Sequence, residues 1–171
     1  FETIHPFNDG NGRIGRLLIT LYLVSFGLLS KPVLYVSDFF EKHKGEYYDA
    51  LTVVRASSDI EQWLRFFLVG VSETAQQGIS LFKQIIKLRQ KYEDLIINNM
   101  GRRQMTAKQL LLELFSKPIM NVNEVAASLG VTFPTANDLI KEMVEAGILI
   151  EQTEGSRNRV FVLKEYLHLF L

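Results

Sequence analysis

The stretch His5-Pro6-Phe7-Asn8-Asp9-Gly10-Asn11-Gly12-Arg13-Ile14-Gly15-Arg16 decides how the chain is read. Gly10, Gly12 and Gly15 let the backbone approach a ligand closely and adopt conformations closed to other residues. The segment then runs into an apolar stretch that predicts a helix over about Arg13 to Phe26, with Gly27 as its stop. The first amides of such a helix point into open space with partial positive charge, which makes an anion site before any side chain is counted. Arg13 and Arg16 share the face of that helix start, where two cations oppose the macrodipole unless an anion is bound between them. Asp9 offers a hard oxygen ligand, and one carboxylate plus phosphate oxygens is a common way to hold Mg²⁺. His5 offers an imidazole nitrogen that can take a proton. Base, metal ligand, oxyanion cradle and phosphate clamps are the parts that phosphoryl-type transfer needs.

The spacing excludes a Walker loop, because no Lys-Ser/Thr follows the last glycine, and no strand precedes it as a dinucleotide fingerprint would require. It does match, at every fixed position, the signature HPFxDGNGRxGR, and on those residues the chain resembles the Fic (Fic/DOC) family of protein adenylyltransferases. Tyr47-Tyr48, Ala50-Leu51 and Trp63 with Phe66-Phe67-Leu68 look like the helices that follow the loop in this family, so the resemblance covers about residues 1–70.

The resemblance implies that AMP passes from ATP to a Tyr, Thr or Ser hydroxyl of a target protein. His5 would be the general base, Phe7 the loop anchor in the core, and Asp9 the Mg²⁺ ligand. Gly10, Asn11 and Gly12 would form the anion hole, Arg13 and Arg16 would contact phosphates, and Tyr47 would lie near the nucleoside. Family members often carry Asn where this chain has Arg55. Two family features are not found: the flap hairpin that docks the target, and the inhibitory helix Ser/Thr-x-x-x-Glu-Gly/Asn. The only Glu-Gly pair is Glu154-Gly155, with Ile150 where Ser or Thr should stand, so an inhibitory helix is expected upstream or on another chain. The chain opens at Phe1 without an initiator Met, and an upstream segment is expected; residues 1–70 taken alone are expected to be inactive.

Working outward, helices are expected from Ser37 to about Lys44, from Glu46 to Ala56 and from Ile60 to Val69, giving an all-helical first block over 1–70. Residues 71–100 carry Ile79, Phe82, Ile85, Ile86, Tyr92, Leu95 and Ile96 at helical spacing, predicting one amphipathic connecting helix. In 101–171 the expected order is helix (Thr106–Ser116), helix (Val122–Leu129, capped by Asn121), helix (Thr132–Ala146), then a hairpin of Ile148–Gln152 and Arg159–Leu163. That is the order of a winged helix-turn-helix. The fold class is therefore mainly α with a small β-hairpin. Tyr47-Tyr48 and the Trp63–Phe67 cluster read as core before ligand contacts, and His43 and His168 as solvated surface.

Bulk properties set limits. Lys plus Arg and Asp plus Glu both number 19, so nothing draws the whole chain to nucleic acid or an anionic membrane. With no cysteine, disulfides and thiolate metal sites are excluded and a cytoplasmic location is allowed. The longest apolar run, Leu17 to Leu29, falls short of the roughly 20 residues that span a bilayer. Cations and acids balance in 101–171, so DNA binding there is expected to be weak, and docking of a protein or a second copy is the favoured role. The competing functional reading makes the chain a DNA-binding or protein-interaction module that uses the winged helix beside an inactive scaffold.

Overall fold

The computed structural model describes residue 1 and residues 4–153, 155 and 159–171. It is mainly α: α1 (Asn11–Ser25), α2 (Ser37–Lys42), α3 (Lys44–Ser57), α4 (Glu61–Asn99), α5 (Gln104–Ser116), α6 (Val122–Leu129), α7 (Phe133–Glu145) and α8 (Lys164–His168). The strands β1 (Ile119–Asn121), β2 (Ile150–Glu151) and β3 (Val160–Val162) form one antiparallel sheet in the order β1-β3-β2. The chain divides into two compact units, Phe1–Ser80 and Leu81–Leu171, and α4 contributes to both.

The first unit is built on Leu34, Val36, Phe39 and Phe40, against which Ile19 and Leu23 of α1, Tyr47 of α3 and Phe66, Phe67, Val71 and Ala75 of α4 pack. The Thr20 hydroxyl donates to the Leu34 carbonyl at 2.7 Å in a buried hydrogen bond, tying α1 to the connector that follows it. Only one side of α1 is covered. Leu17, Leu21, Tyr22 and Phe26 are exposed, so the neighbours that this apolar helix calls for on its other side are not supplied by the described residues.

Where the sequence suggests two helices separated at Gly70, the structure has one. Gly70 serves packing instead of termination. A Cβ placed there would lie 2.5 Å from Cδ1 of Phe39, so the absent side chain is the slot that seats the ring. Phe39 in turn stacks near Phe66 (5.3 Å between ring centres) and His43 (4.2 Å). His43 is therefore more than solvated surface: its Nδ1 also lies 3.0 Å from the Phe39 carbonyl, at the junction of α2 and α3.

The second unit has the larger core, with Tyr92, Ile96, Leu110, Leu111, Leu114, Leu139, Ile140, Met143, Leu149, Phe161 and Leu163 essentially inaccessible. Burial, reinforced by the Glu165 carboxylate, pushes the Tyr92 phenol up. The helix boundaries follow local chemistry. Asn121 and Glu124 form a reciprocal capping box on α6, and Gly130 closes that helix in the left-handed conformation. Lys117 bonds the same Glu124 and, with the Asn121 amide, holds its carboxyl below the usual range. Thr132 caps α7. Two elements go beyond the sequence reading. β1 adds a third strand, pairing Ile119–Asn121 with Val160–Val162, and α8 follows the sheet. The turn expected at Thr153 to Asn158, including Glu154 and Arg157, lies largely outside the described residues.

The two mid-helix glycines of α4 give opposite expectations. Gly78→Ala meets no atom within 4 Å. It should stabilise the chain by up to about 1 kcal/mol through helix propensity. Gly70→Ala gains the same propensity but drives Cβ into a buried ring, for a net loss of about 1–3 kcal/mol. Thermal unfolding of both variants checks this; equal stabilisation would show that Phe39 does not need the slot.

Candidate active site

The loop before α1 is held by a side chain that reaches backward. Asn11 is 2% exposed. Its Oδ1 accepts the Phe7 amide proton at 3.0 Å and its Nδ2 donates to the Phe7 carbonyl at 2.5 Å. A primary amide carries a donor and an acceptor on separate atoms, so asparagine can engage the amide and the carbonyl of Phe7 together. Residues 7–11 are thereby closed into a fixed ring at the helix start. Gly10 is the N-cap with φ +81°, a conformation that disfavours any residue with a Cβ.

This fixes what the N-terminus of α1 presents. No side chain caps it, and no acidic residue lies in its first turn. Among the described residues the amide protons of the first turn therefore have no internal acceptor, unlike those at the starts of α6 and α7. They open onto a cavity of about 510 Å³ lined by His5, Asn8 to Arg13, Arg16, Phe40, Glu41, Lys44, Tyr47 and Tyr48. A second cavity of about 260 Å³ shares His5, Gly12, Arg16, Tyr47 and Tyr48 and adds Leu51, Thr52 and Arg55.

The individual side chains divide into fixed and exchangeable. Arg16 Nε is buried without a hydrogen-bond partner among the described residues, an unmet donor beside the cavity. Arg13 pairs with Asp9 at 3.3 Å, both largely exposed. Such a surface pair is worth about 0–1 kcal/mol, so either partner can turn to a ligand at little cost. Asp9 also accepts the Gly10 amide at 2.6 Å, which aims its carboxylate along the loop. That exposed carboxylate, beside the cavity, could hold a Mg²⁺ that shares its coordination with phosphate oxygens. Among the described residues no group of three or more His, Cys, Asp or Glu could hold a metal without such help.

His5 is exposed on the cavity wall with φ +48°. A non-glycine residue in that region costs on the order of 1–3 kcal/mol. Its amide donates to the Phe1 carbonyl at 3.0 Å. Two placements differ from the sequence reading. Phe7 is 48% exposed, its ring 6.3 Å from that of Phe1, so the loop is pinned through Asn11 and not by a buried Phe7. Asn11 correspondingly brings its backbone to the cradle, since its side chain is spent on Phe7. Tyr47 is part of the core and also lines the cavity, whereas Tyr48 is exposed over it. Lys44 and Glu41 join the lining although no local sequence pattern marks them as contacts; only the fold of α2 and α3 brings them there, while Arg55, which stands where relatives of the resembled family often carry Asn, borders the second cavity.

Gly12 separates cradle geometry from folding. A Cβ at Gly12 would lie 3.3 Å from Arg16 Nη1, the mobile end of a long side chain. Gly12→Ala should therefore fold with stability within about 1 kcal/mol of the parent, helped by helix propensity. It should bind ATP at least several-fold more weakly, because Arg16 is displaced. Calorimetric titration beside thermal unfolding tests this; unchanged affinity would remove Arg16 and Gly12 from the cradle.

Residues 1–23 match the family model described as Fic/DOC family. A probable protein adenylyltransferase of Aquifex aeolicus is 29% identical over 130 residues, covering 71% of this chain and 38% of that protein. A protein adenylyltransferase Fic of Aedes aegypti is 41% identical over 79 residues, which are 46% of this chain and 14% of that one. A Fido domain-containing protein of Dictyostelium discoideum is 33% identical over 72 residues, 35% of this chain and 50% of that one. The chain thus spans half or less of the length of each of these relatives. The loop signature and the uncapped helix start behind it thus fall within the segment that matches the Fic/DOC family model, and the chain is similar to proteins named as Fic adenylyltransferases.

Proposed function

We propose that this chain carries the centre of a protein adenylyltransferase, which moves AMP from ATP to a Tyr, Thr or Ser hydroxyl of another protein. The observation that carries the reading is the uncapped start of α1, opening on a cavity that His5, Asp9, Arg13 and Arg16 also line. An anion at that helix start satisfies the amides of Asn11 and Gly12, relieves the two arginines of their conflict with the macrodipole, and gives Arg16 Nε an acceptor.

In this reading His5 takes the proton of the attacking hydroxyl. The hydroxyl oxygen bonds to the α-phosphorus as the bond to the bridging oxygen breaks, and pyrophosphate leaves. The amides and Arg16 hold the charge that builds on the α-phosphate oxygens. Stabilising such charge with donors already aimed at it is usually what accelerates this kind of reaction most. Mg²⁺, held by Asp9, would neutralise charge on the phosphate chain. Tyr47 and Tyr48 flank the path of the nucleoside.

For 101–171 we infer a winged helix-turn-helix, with α5, α6 and α7 as its helices, the β2–β3 hairpin as its wing, and 71–100 as the connecting segment. Among the described residues three of its cations are paired with acids. Arg103 reaches Glu142 (2.8 Å) and Asp138 (3.6 Å) on α7, Arg159 grips Glu151, and Lys117 bonds Glu124. Phosphate binding depends on free Lys and Arg releasing counterions, so this pairing favours a protein-docking role over DNA reading. Among the described residues no helix is long and apolar enough to cross a membrane.

His5→Ala should lower AMP transfer by about 10²–10⁴ while leaving ATP affinity within a few-fold, since a general base acts only in the attack. Transfer of label from α-³²P-ATP to protein, read beside nucleotide affinity, tests it; activity within tenfold of the parent removes His5 from the role. Asp9→Ala should abolish the effect of Mg²⁺ on ATP affinity. An unchanged metal dependence would place the metal ligand elsewhere.

A further inference from the structure

The smaller of the two cavities has a lining that the transfer chemistry does not require. Asp9 and Arg13 line only the first cavity, whereas Leu51, Thr52 and Arg55 line only the second; His5 and Arg16 belong to both. If the phosphate chain lies along the α1 start with its α-phosphate at His5, the β- and γ-phosphates run toward Asp9 and Arg13. The nucleoside must then leave on the other side, into the cavity of about 260 Å³ that Arg55 borders.

Among the described residues no carboxylate lines that cavity. The Thr52 hydroxyl donates to the Tyr48 carbonyl at 2.8 Å. Tyr48 is 55% exposed and offers a ring face for a base. Arg55 is exposed, and no hydrogen bond or ion pair holds it among the described residues; Arg65, one turn into the following helix, is by contrast tied to Glu61 at 2.9 Å. The cavity thus ends in an unengaged guanidinium, a planar fork that only donates.

Such a fork is selective among bases. Guanine presents O6 and N7, two acceptors on one edge, and takes a bidentate arginine; adenine presents the N7 acceptor beside the N6 amino donor, a pair that an amide side chain matches. Resting on the reading of this site as a nucleotidyl transferase, we infer that Arg55 is a base-reading residue and that this chain accepts guanosine triphosphate as well as adenosine triphosphate. Arg55 forms two hydrogen bonds with the guanine edge and one with adenine N7. Its role is specificity, and the proton transfer at His5 is untouched by it.

The test is nucleotide affinity of the whole chain in Mg²⁺ buffer, measured for ATP and GTP on the parent, Arg55→Asn and Arg55→Lys. The parent should bind GTP at least as tightly as ATP. Arg55→Asn should shift the ratio toward ATP by about tenfold or more, the usual discrimination of one bidentate contact. Arg55→Lys keeps the charge but loses the fork, and should bind GTP more weakly with ATP little changed. A parent that prefers ATP tenfold, or an ATP-to-GTP ratio unmoved by Arg55→Asn, overturns the inference while leaving the transferase reading intact. Equal weakening of both nucleotides in both variants also overturns it, by assigning Arg55 to phosphate. If the parent binds neither nucleotide, the transferase reading itself fails, and the inference with it.

Discussion

Two hydrogen bonds between the Asn11 carboxamide and the main chain of Phe7 hold the N-terminal loop across the start of α1. Everything proposed for the site depends on them. A glycine-rich loop is entropically costly to order, and an anion cradle works only if its amides are aimed before the anion arrives. The carboxamide meets both needs by closing the loop on itself from inside the helix it precedes. It also keeps its own side chain out of the cradle, so that the first-turn amides stay open to a ligand.

The helix starts of the two units answer the same problem in opposite ways. In the second unit Asn121 with Glu124 and Thr132 satisfy the first amides internally, and these helices simply end there. At α1 the cap position is a glycine, the first turn has no acid, and two arginines add positive charge. That arrangement is unfavourable for an isolated helix and favourable for one that binds phosphate. The conflict among local rules is itself the mark of the site.

Much of this was legible in the sequence. The loop residues are contiguous, so their convergence follows from chain connectivity alone. The cap of α6, Asn121, was visible because caps act within a turn, whereas Thr132 read as the first residue of α7 and not as its cap. What lay hidden depends on contacts distant in sequence. Gly70 reads as a stop, yet its lack of a Cβ answers Phe39 on another helix. Phe7 reads as a core anchor, yet the described residues leave it half exposed and Asn11 takes the pinning role. β1 follows Pro118 and is too short to carry a period, so only pairing with Val160–Val162 defines it. Lys44 enters the lining because α3 packs beside the loop, which no local pattern encodes.

The central claim is that the start of α1 is a nucleotide phosphate site. The most direct measurement is an NMR titration of the isotopically labelled chain with ATP and Mg²⁺, following backbone amides and arginine side-chain Nε–H groups. The account predicts that the largest shifts fall on the amides of Gly10, Asn11, Gly12 and Arg13 and on Arg16 Nε–H, which gains the acceptor it lacks. Shifts absent from these groups at saturating ATP, or concentrated in residues 81–171, would contradict it.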